Sequence, residues 1–383
     1  MEISVNEGES IWQQFRSKVE IEFPSPKTKG DWSLTCQGWV GYLPVTPGFG
    51  LRIQPRVSLR NLFGMIEYAY RLRNIQFFQG LIDCESLEGF FERLVSIVTN
   101  LASVRIRKGL YREYVSHSER LSVVRGRVNF ESQLRRPWAV DVDCDFDEHT
   151  ANLKENQILA WTLWRASRTG LCGEHVLQAV RKAVRSILSV ASLIPMRSND
   201  CVLEKYHRLN EDYEPIHALC RLILDNLGPS HEIGQHGMLP FVVNMSNLFE
   251  LFVAEWLTAN IDAKYTCKPQ ERVQLGDSGD LVFRIDMVIC DSATMRPLCV
   301  LDTKYKIPDK PSQADINQAV TYASIKGCTE AVLVYPSRLA RPIDVEIGQI
   351  RVRSMTFAIH DDLNYEGRKF LNELGGLERK PVN

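Results

Sequence analysis

Residues 244–337 alternate between helix-like segments and apolar runs of strand length, and this order constrains the fold more than any other feature of the chain. The runs "DLVFRIDMVICD", "PLCVLDTKYK" and "EAVLVYPS" predict buried strands. The segments "NMSNLFELFVAEWLTANI" and "SQADINQAVTYASIKG" predict helices, and the second has Ser312 as an N-cap and Gly327 just past its end. Helix, strands, helix and strand in this order predict an α/β domain.

The first half of the chain has a different pattern. Residues 38–58 mix β-branched and aromatic residues with Gly and Pro, which predicts a small β-element of short strands and turns. Apolar spacing predicts amphipathic helices from residue 59 to about residue 115. We then expect a strand in "LSVVRGRVNF", a turn in the acid-rich "DVDCDFDE", and long helices in "NQILAWTLWRA" and "EHVLQAVRKAVRSILSVASL". The first half is therefore predicted to be mostly helical.

Length and composition exclude several classes of protein. A chain of 383 residues exceeds one ordinary core, so more than one domain is expected, and we place the boundary between residues 200 and 201. The 46 basic and 47 acidic residues nearly cancel, so any nucleic-acid contact must come from a local patch. No apolar run approaches the roughly 18 residues of a membrane helix, and "MEISVNEGES" lacks a signal-peptide core, so we expect a cytosolic protein. The ten cysteines include no Cys-x-x-Cys pair and are predicted to be free thiols, mostly buried.

Two acidic residues and one lysine carry the chemistry of the second half. Asp302 and Lys304 are two apart in a predicted strand and so share a face. Asp286 lies 16 residues before Asp302, a separation that suits neighbouring strands joined by a turn. Mg²⁺ prefers a few carboxylate oxygens and retains several waters, and a nearby lysine can orient one of them. These residues suit hydrolysis of a phosphodiester.

A structural interpretation of the same residues remains open. Asp286 could cap a turn at the end of a strand, and Asp302 with Lys304 could form an exposed ion pair worth well under about 1 kcal/mol. Unpaired charge is costly in a buried strand, which favours the functional interpretation.

The flanking segments add a family resemblance. Asp286 followed by Asp302-x-Lys304 resembles the PD-(D/E)xK nuclease superfamily. The blocks "FRIDMVI", "VLDTKYK", "DINQAVTYA" and "AVLVYPS" resemble the McrC family, the nuclease subunit of McrBC-type modification-dependent restriction systems. In the first half "LRNLFGMIEYAYRL", "RGRVNFESQLRR" and "FDEHTANLKENQILAWTL" follow the family's order, so the resemblance spans about residues 38–360. It implies a restriction-endonuclease-like α/β domain with a mixed central sheet in residues 201–383.

The resemblance also implies roles for individual residues. Asp286 and Asp302 match the metal-binding carboxylates, and Lys304 matches the catalytic lysine. Glu250 matches an acid that approaches the metal from the preceding helix, although it could equally serve near the first turn of its own helix. Gln318 and Tyr322 match a helix beside the active site, and their alternative is simple packing on the sheet. Two departures, Ile285 in place of proline and Asp302 where many members have glutamate, remove no ligand. The implied cofactor is Mg²⁺, with Mn²⁺ as a substitute.

The family pattern implies a partner as well. The chain contains no G-x-x-x-x-G-K-[ST] motif, so it is no P-loop NTPase, and the resemblance implies a separate McrB-like AAA+ GTPase hexamer on which residues 1–200 dock. Residues 101–137 hold nine Arg and Lys against three Glu, and could contact DNA or the partner. The candidates are Arg105, Arg107, Lys108, Arg125 and Arg127. The alternative is a solvated face that pairs with "DVDCDFDE".

These observations together predict a Mg²⁺-dependent DNA endonuclease subunit in the cytoplasm of a prokaryote, working with a GTPase that recognises modified DNA. Two other functions stay open. One is an adaptor that stimulates the motor without cutting, which the intact Asp286, Asp302 and Lys304 disfavour. The other is a stand-alone repair or resolvase nuclease, which would not need the helical first half.

Overall fold

The computed structural model of the chain describes residues 3–46, 49–72, 84, 86–136, 138–203, 205–228, 240–275 and 281–375. It divides into two compact units, which we call the sheet unit (Met1–Phe90 and Gly228–Asn383) and the arm unit (Phe91–Leu227). This division differs from the expected boundary at residues 200 and 201. The reason is that the strand Trp39–Thr46 pairs with the strand Phe241–Asn244, so the first 90 residues belong with the second half of the chain. The docking role of residues 1–200 stays a prediction.

The described part of the sheet unit contains helices and strands from both ends of the chain. Its helices are α1 (Val5–Phe15), α2 (Leu59–Ala69), α8 (Met245–Asn260), α9 (Gln313–Lys326) and α10 (Leu363–Glu373). Its strands are β1 (Val19–Glu22), β2 (Ser33–Cys36), β3 (Trp39–Thr46), β4 (Phe49–Ile53), β8 (Phe241–Asn244), β9 (Tyr265–Leu275), β10 (Leu281–Asp291), β11 (Pro297–Thr303), β12 (Glu330–Tyr335), β13 (Asp344–Ile347) and β14 (Ile350–Thr356).

A mixed sheet of six strands forms the centre of this unit, in the order β13-β14-β12-β11-β10-β9. Strands β11, β12 and β14 run parallel, while β9, β10 and β13 join antiparallel to their neighbours. Helix α9 connects β11 to β12 and buries Ala319 and Ala323 against a core that includes Val300, Leu333 and Val352. The predicted α/β class with a mixed central sheet is confirmed.

Helix α9 begins and ends as its sequence predicts. Ser312 Oγ accepts a hydrogen bond from the Asp315 backbone N–H, and the Ser312 backbone N–H donates to Asp315 Oδ2, which is a complete capping box. Gly327 ends the helix with φ +66°, a conformation that glycine adopts without a Cβ clash. Both ends of the helix are therefore fixed, which in turn fixes the side chains on the face toward β11.

The predicted β-element of residues 38–58 is confirmed in its described part as β3 and β4. Strand β3 pairs with β4 on one side and β8 on the other, and β8 leads directly into α8. Helix α2 packs on α8, where the Tyr68 ring meets the Phe252 ring edge-on at 5.6 Å. The N-terminal segment thus supports the helix that carries Glu250.

The arm unit consists of helices and one long antiparallel ribbon. Helix α3 (Leu87–Lys108) enters it across the boundary between units. The remaining elements are β5 (Glu113–Leu121), β6 (Arg127–Val128), α4 (Phe130–Leu134), β7 (Val142–Thr150), α5 (Lys154–Ala166), α6 (Glu174–Leu188) and α7 (Glu214–Asn226). Strand β5 pairs with β7 along its whole length, from Glu113 opposite Thr150 to Leu121 opposite Val142. We call residues 113–150 the arm.

Three predictions for this region are wrong. The acid-rich "DVDCDFDE" lies in strand β7 and not in a turn, because Val142, Cys144 and Phe146 alternate with aspartates and so share one face. The helix predicted to reach residue 115 ends at Lys108, where Gly109 takes φ +94°. In "LSVVRGRVNF" only its first residue and Arg127–Val128 are strand.

The buried side chain of Asn156, on helix α5, binds the chain at both ends of the arm. Asn156 on α5 is fully buried, and its Nδ2 donates to the carbonyl oxygens of Tyr111 at 2.9 Å and Ala151 at 2.7 Å. Its Oδ1 accepts from the Tyr213 hydroxyl at 2.6 Å, and that hydroxyl accepts from the Tyr111 backbone N–H. The residues just before β5 and just after β7 are thus bound to one amide.

All ten cysteines are free thiols; eight are buried, Cys84 is half-buried and Cys36 is exposed. None of the helices in the described part of the chain combines the length and hydropathy needed to cross a membrane.

Candidate active site

Asp286 and Asp302 lie on neighbouring antiparallel strands. Met287 of β10 is opposite Leu301 of β11, and continuing this register by one residue places Asp286 beside Asp302. The backbone N–H and the Oγ1 hydroxyl of Thr303 both donate to Asp286 Oδ2, at 2.8 and 2.7 Å. Asp286 is therefore held in place by the residue that separates Asp302 from Lys304.

Asp302 and Lys304 form a close ion pair at the end of β11. Lys304 Nζ lies 2.6 Å from Asp302 Oδ2, and the Lys304 backbone N–H continues the pairing with β12 by donating to Val334 O. Asp302 is only 2% exposed. Burial and the nearby Asp286 carboxylate raise the pKa of Asp302 to about 6, against the opposing effect of the Lys304 ammonium. The pair is thus buried and is no exposed surface ion pair.

A hydrogen-bonded chain connects Lys304 to helix α9. Lys304 Nζ donates to Gln318 Oε1 at 2.8 Å, and Gln318 Nε2 donates to the Tyr322 hydroxyl at 2.7 Å. Gln318 and Tyr322 are four residues apart and so lie on one face of the helix. The Tyr322 ring packs edge-on against Phe283. Gln318 therefore contacts the lysine directly, and Tyr322 contacts Gln318.

Glu250 faces the same carboxylates from helix α8. Its Oε1 accepts from Gln270 Nε2 at 3.2 Å and lies 3.9 Å from Arg284 Nη2. Burial raises the pKa of Glu250 to about 7, and the charges of Asp286 and Asp302 add to the effect, while Arg284 opposes it. Three acidic side chains thus converge within electrostatic reach of one another.

The donor set fits a hard divalent cation. Within the residues that the structure describes, no three Asp, Glu, His or Cys side chains stand close enough together to enclose an ion. Their oxygens point instead to Thr303, Lys304 and Gln270. Mg²⁺ does not need an enclosing cage, since one or two carboxylates with waters and substrate phosphates hold it. A cation at Asp286 and Asp302 would also offset the repulsion that raises the pKa of Asp302.

Two residues at the site escaped prediction from the sequence. Thr303 lies between the two residues of the motif and fixes Asp286. Gln270 has φ +50° in the middle of β9, a conformation that costs a non-glycine residue about 1–3 kcal/mol and that clusters at functional sites. Its amide reaches Glu250. The Thr-Asp contact follows from strand register and was predictable, whereas the φ angle of Gln270 leaves no mark in the sequence.

The five basic candidates of the first half lie in the arm unit, and two of them are already engaged. Arg105 pairs with Asp212 at 3.1 Å and stacks on Tyr213, and Arg125 stacks on Phe146 at 4.1 Å. Arg107, Lys108 and Arg127 are exposed. The expected pairing with the acidic stretch is present, because Arg120 binds Asp143 and Arg125 lies 3.6 Å from Glu148. The remaining charge is available for a partner.

The fold and the site define an α/β protein with a buried acid–lysine centre at the carboxyl end of β11, beside the middle of β10. A family model described as "McrBC 5-methylcytosine restriction system component" matches residues 34–336. The chain belongs to this family. No curated protein matches it.

Two solved structures from Thermococcus gammatolerans resemble the chain. One is a refined half-complex from a tetradecameric assembly of McrB AAA+ hexamers with bound McrC; it is 16% identical, has a TM-score of 0.54, and the match covers 98% of this chain and 90% of that one. The other is a cryo-EM structure of the McrBC complex, with 18% identity, a TM-score of 0.42, and coverage of 67% and 75%. The first of these shows that the fold is shared along almost the whole chain.

Proposed function

We propose that this chain is the DNA-cleaving subunit of a McrBC-like modification-dependent restriction system, a Mg²⁺-dependent endodeoxyribonuclease in the cytoplasm of a prokaryote. The observation that carries the proposal is the buried Asp302–Lys304 pair beside Asp286, with Gln318 orienting the lysine. A purely structural ion pair between Asp302 and Lys304 would not need further carboxylates nearby, such as Asp286, which raises the pKa of Asp302. A site that binds a cation and a phosphate does need them.

Each residue has a role in hydrolysis. Asp286 and Asp302 would hold the cation, with Glu250 as the further acid that approaches it from α8, and the bound cation would polarise the phosphate and activate a water for attack. Lys304 directs its ammonium toward the charge that develops on the phosphate, and Gln318 keeps that group from turning away. Gln270 holds Glu250 on the side of Asp286.

The test of this proposal is cleavage of modified DNA by the purified chain with an McrB-like partner and GTP. We expect cutting with Mg²⁺ or Mn²⁺ and none in a chelator, since carboxylates alone cannot activate water at a phosphodiester. If the chain stimulates GTP hydrolysis but never cuts DNA with any divalent ion, it is an adaptor and the nuclease proposal fails.

Gln270→Gly should separate stability from activity. Glycine adopts φ +50° without strain, and its greater freedom in the unfolded chain offsets the gain, so the free energy of unfolding should change by less than about 1 kcal/mol. Loss of the amide on Glu250 should lower the cleavage rate about 10- to 100-fold. The measurement is thermal melting alongside cleavage against Mg²⁺ concentration.

Gln274→Gly is the matched control for this variant, because Gln274 lies in the same strand and is exposed. It should lose stability and keep full activity. Equal activity of the two variants would make the contact between Gln270 and Glu250 purely structural.

The partner in this proposal is a hexameric McrB-like AAA+ GTPase, and we place the docking surface on the arm. Six apolar side chains near its tip are exposed, among them Trp138 at 78% and Val140 at 92%; the others are Val123, Val124, Phe130 and Leu134. Monomeric proteins rarely expose so many large apolar groups in one short segment, and such patches mark protein interaction sites. Arg127 beside them adds positive charge.

Replacing Trp138 and Val140 together by Asp should weaken partner binding at least about tenfold, because buried tryptophans dominate interface energies. Stimulation of GTP hydrolysis should fall in parallel, as measured by co-elution and phosphate release. The matched control is Ile347→Asp, at an exposed apolar residue on β13 of the sheet unit. A double variant that co-elutes with the ring like the wild type would move the docking surface elsewhere.

A further inference from the structure

A cavity of about 540 Å³ opens at the carboxyl ends of the three parallel strands of the sheet unit. Tyr305 follows β11, Pro336 follows β12 and His360 lies four residues after β14, and all three line it. Trp39 and Arg56, from the small β-element, line it as well. Ligand sites in sheets of this kind lie outside the carboxyl ends of parallel strands, and the volume is that of a small-ligand pocket.

The cavity lies next to the candidate active site along the chain. Tyr305, Lys306 and Ile307 line it, and they are the three residues after Lys304. Consecutive Cα atoms are about 3.8 Å apart, so the Cα atoms of these three residues lie within about 11 Å of that of Lys304. A phosphate at Lys304 therefore places the neighbouring nucleotides within reach of the cavity.

The lining combines aromatic rings with a positive charge. Burial raises the pKa of Tyr305 and of the Cys36 thiol, and Arg56 opposes the shift in both cases, so the guanidinium acts on two walls of the cavity at once. Arg56 makes no ion pair within the part of the chain that the structure describes, whereas Lys306 is paired with Asp315 at 2.6 Å. Arg56 is thus available for an anionic ligand.

These features together match the chemistry of a nucleotide. Aromatic side chains stack on bases of any sequence, and arginine binds phosphate by two parallel hydrogen bonds. A base inside a duplex cannot enter such a cavity, because it is stacked and paired, so the occupant must be unpaired or turned out of the helix.

We propose that this cavity receives one unpaired nucleotide of the cleaved strand, next to the scissile phosphate, with its base against Trp39 and Tyr305 and its phosphate on Arg56. The inference rests on the proposed nuclease function. It adds a requirement that the cut site alone does not impose, namely local unpairing of the DNA beside the cut.

The experiment measures binding by the full-length chain in a chelator, without partner. The probe is a single-stranded deoxyoligonucleotide that contains 2-aminopurine, whose fluorescence falls when the base stacks. We expect quenching by the wild type and at least about tenfold weaker binding by Arg56→Gln, since a charged contact to phosphate is lost. Arg56 is exposed, so this variant should fold, and its melting temperature checks that it does.

Arg296→Gln is the matched control, because Arg296 is exposed in the turn between β10 and β11, at the other end of these strands. It should bind as the wild type does. Equal affinity of Arg56→Gln and the wild type would overturn the proposal. A fully paired duplex carrying the same base should quench less than one with a mismatch at that position, and the reverse order would also overturn it.

Free nucleotides distinguish a second source of the same chemistry. If dCMP or GTP binds more tightly than the oligonucleotide and Arg56→Gln abolishes that binding, the cavity is a site for free nucleotides and the proposal fails.

The outcomes also separate this inference from the nuclease proposal. Wild-type chain that binds the probe but never cuts DNA with Mg²⁺ contradicts the nuclease proposal alone, and chain that cuts DNA with unchanged binding by Arg56→Gln contradicts the cavity alone.

Discussion

Asp302→Ala should reduce DNA cleavage by about 10³-fold or more while the chain still folds and binds its partner. The carboxylate is a proposed ligand of the cation and the ion-pair partner of Lys304, so its loss removes two electrostatic contributions from one site. Folding should survive, because the substitution also removes a buried charge that Asp286 repels. The measurement is the rate of cleavage under single-turnover conditions, together with thermal melting.

Asp315→Ala provides a closely matched control. Asp315 is 6% exposed and lies 2.6 Å from Lys306 Nζ, so it shares the burial and the ion pairing of Asp302. It also completes the capping box of α9, and its loss should cost about 1 kcal/mol of stability. Below the melting temperature its cleavage rate should stay within about threefold of the wild type. If Asp302→Ala cleaved DNA with Mg²⁺ at the wild-type rate, the nuclease proposal would be wrong.

Lys304→Met should lower cleavage by about 10²- to 10³-fold without loss of cation binding. Methionine keeps much of the stem volume and removes the charge that faces the phosphate. Because the ammonium competes with a cation for Asp302, Mg²⁺ should bind this variant at least as tightly as it binds the wild type. Calorimetric titration with Mg²⁺ and single-turnover cleavage together test both halves of the prediction.

Lys326 offers an unusually close comparison for this variant. Its side chain is 17% exposed and lies 2.6 Å from Glu271, and the Lys304 side chain has the same exposure and the same distance to Asp302. Lys326→Met therefore removes an ion pair of the same length, whose acid Glu271 is 24% exposed against 3% for Asp302, and it should leave cleavage unchanged. Should both variants cut DNA within about threefold of the wild type, Lys304 would be a structural partner of Asp302 and the adaptor function would regain support.

The sequence predicted the sheet and the proximity of Asp286, Asp302 and Lys304, because both depend on local pattern. The period of two along the predicted strand placed Asp302 and Lys304 on one face, although β11 ends at Thr303, and caps at Ser312 and Gly327 defined the helix that carries Gln318. The contacts that the sequence could not reveal are long-range. Pairing of β3 with β8 joins residues about 200 apart and so moved the domain boundary. In the arm, the alternation of apolar and acidic residues in β7 was not recognised from the sequence, because a segment rich in aspartate is typical of a turn.

The contacts of Asn156 determine how force passes through the arm unit. If only one strand of the arm were attached to the helices, the arm could bend at that attachment, and motion at its tip would not reach the helices. Here one buried amide binds the chain on both sides of the arm, so we expect the ribbon and helix α5 to move together. A motor that pulls on Trp138 would therefore deliver its torque to α5 and, through the Tyr213 hydroxyl, to the start of α7.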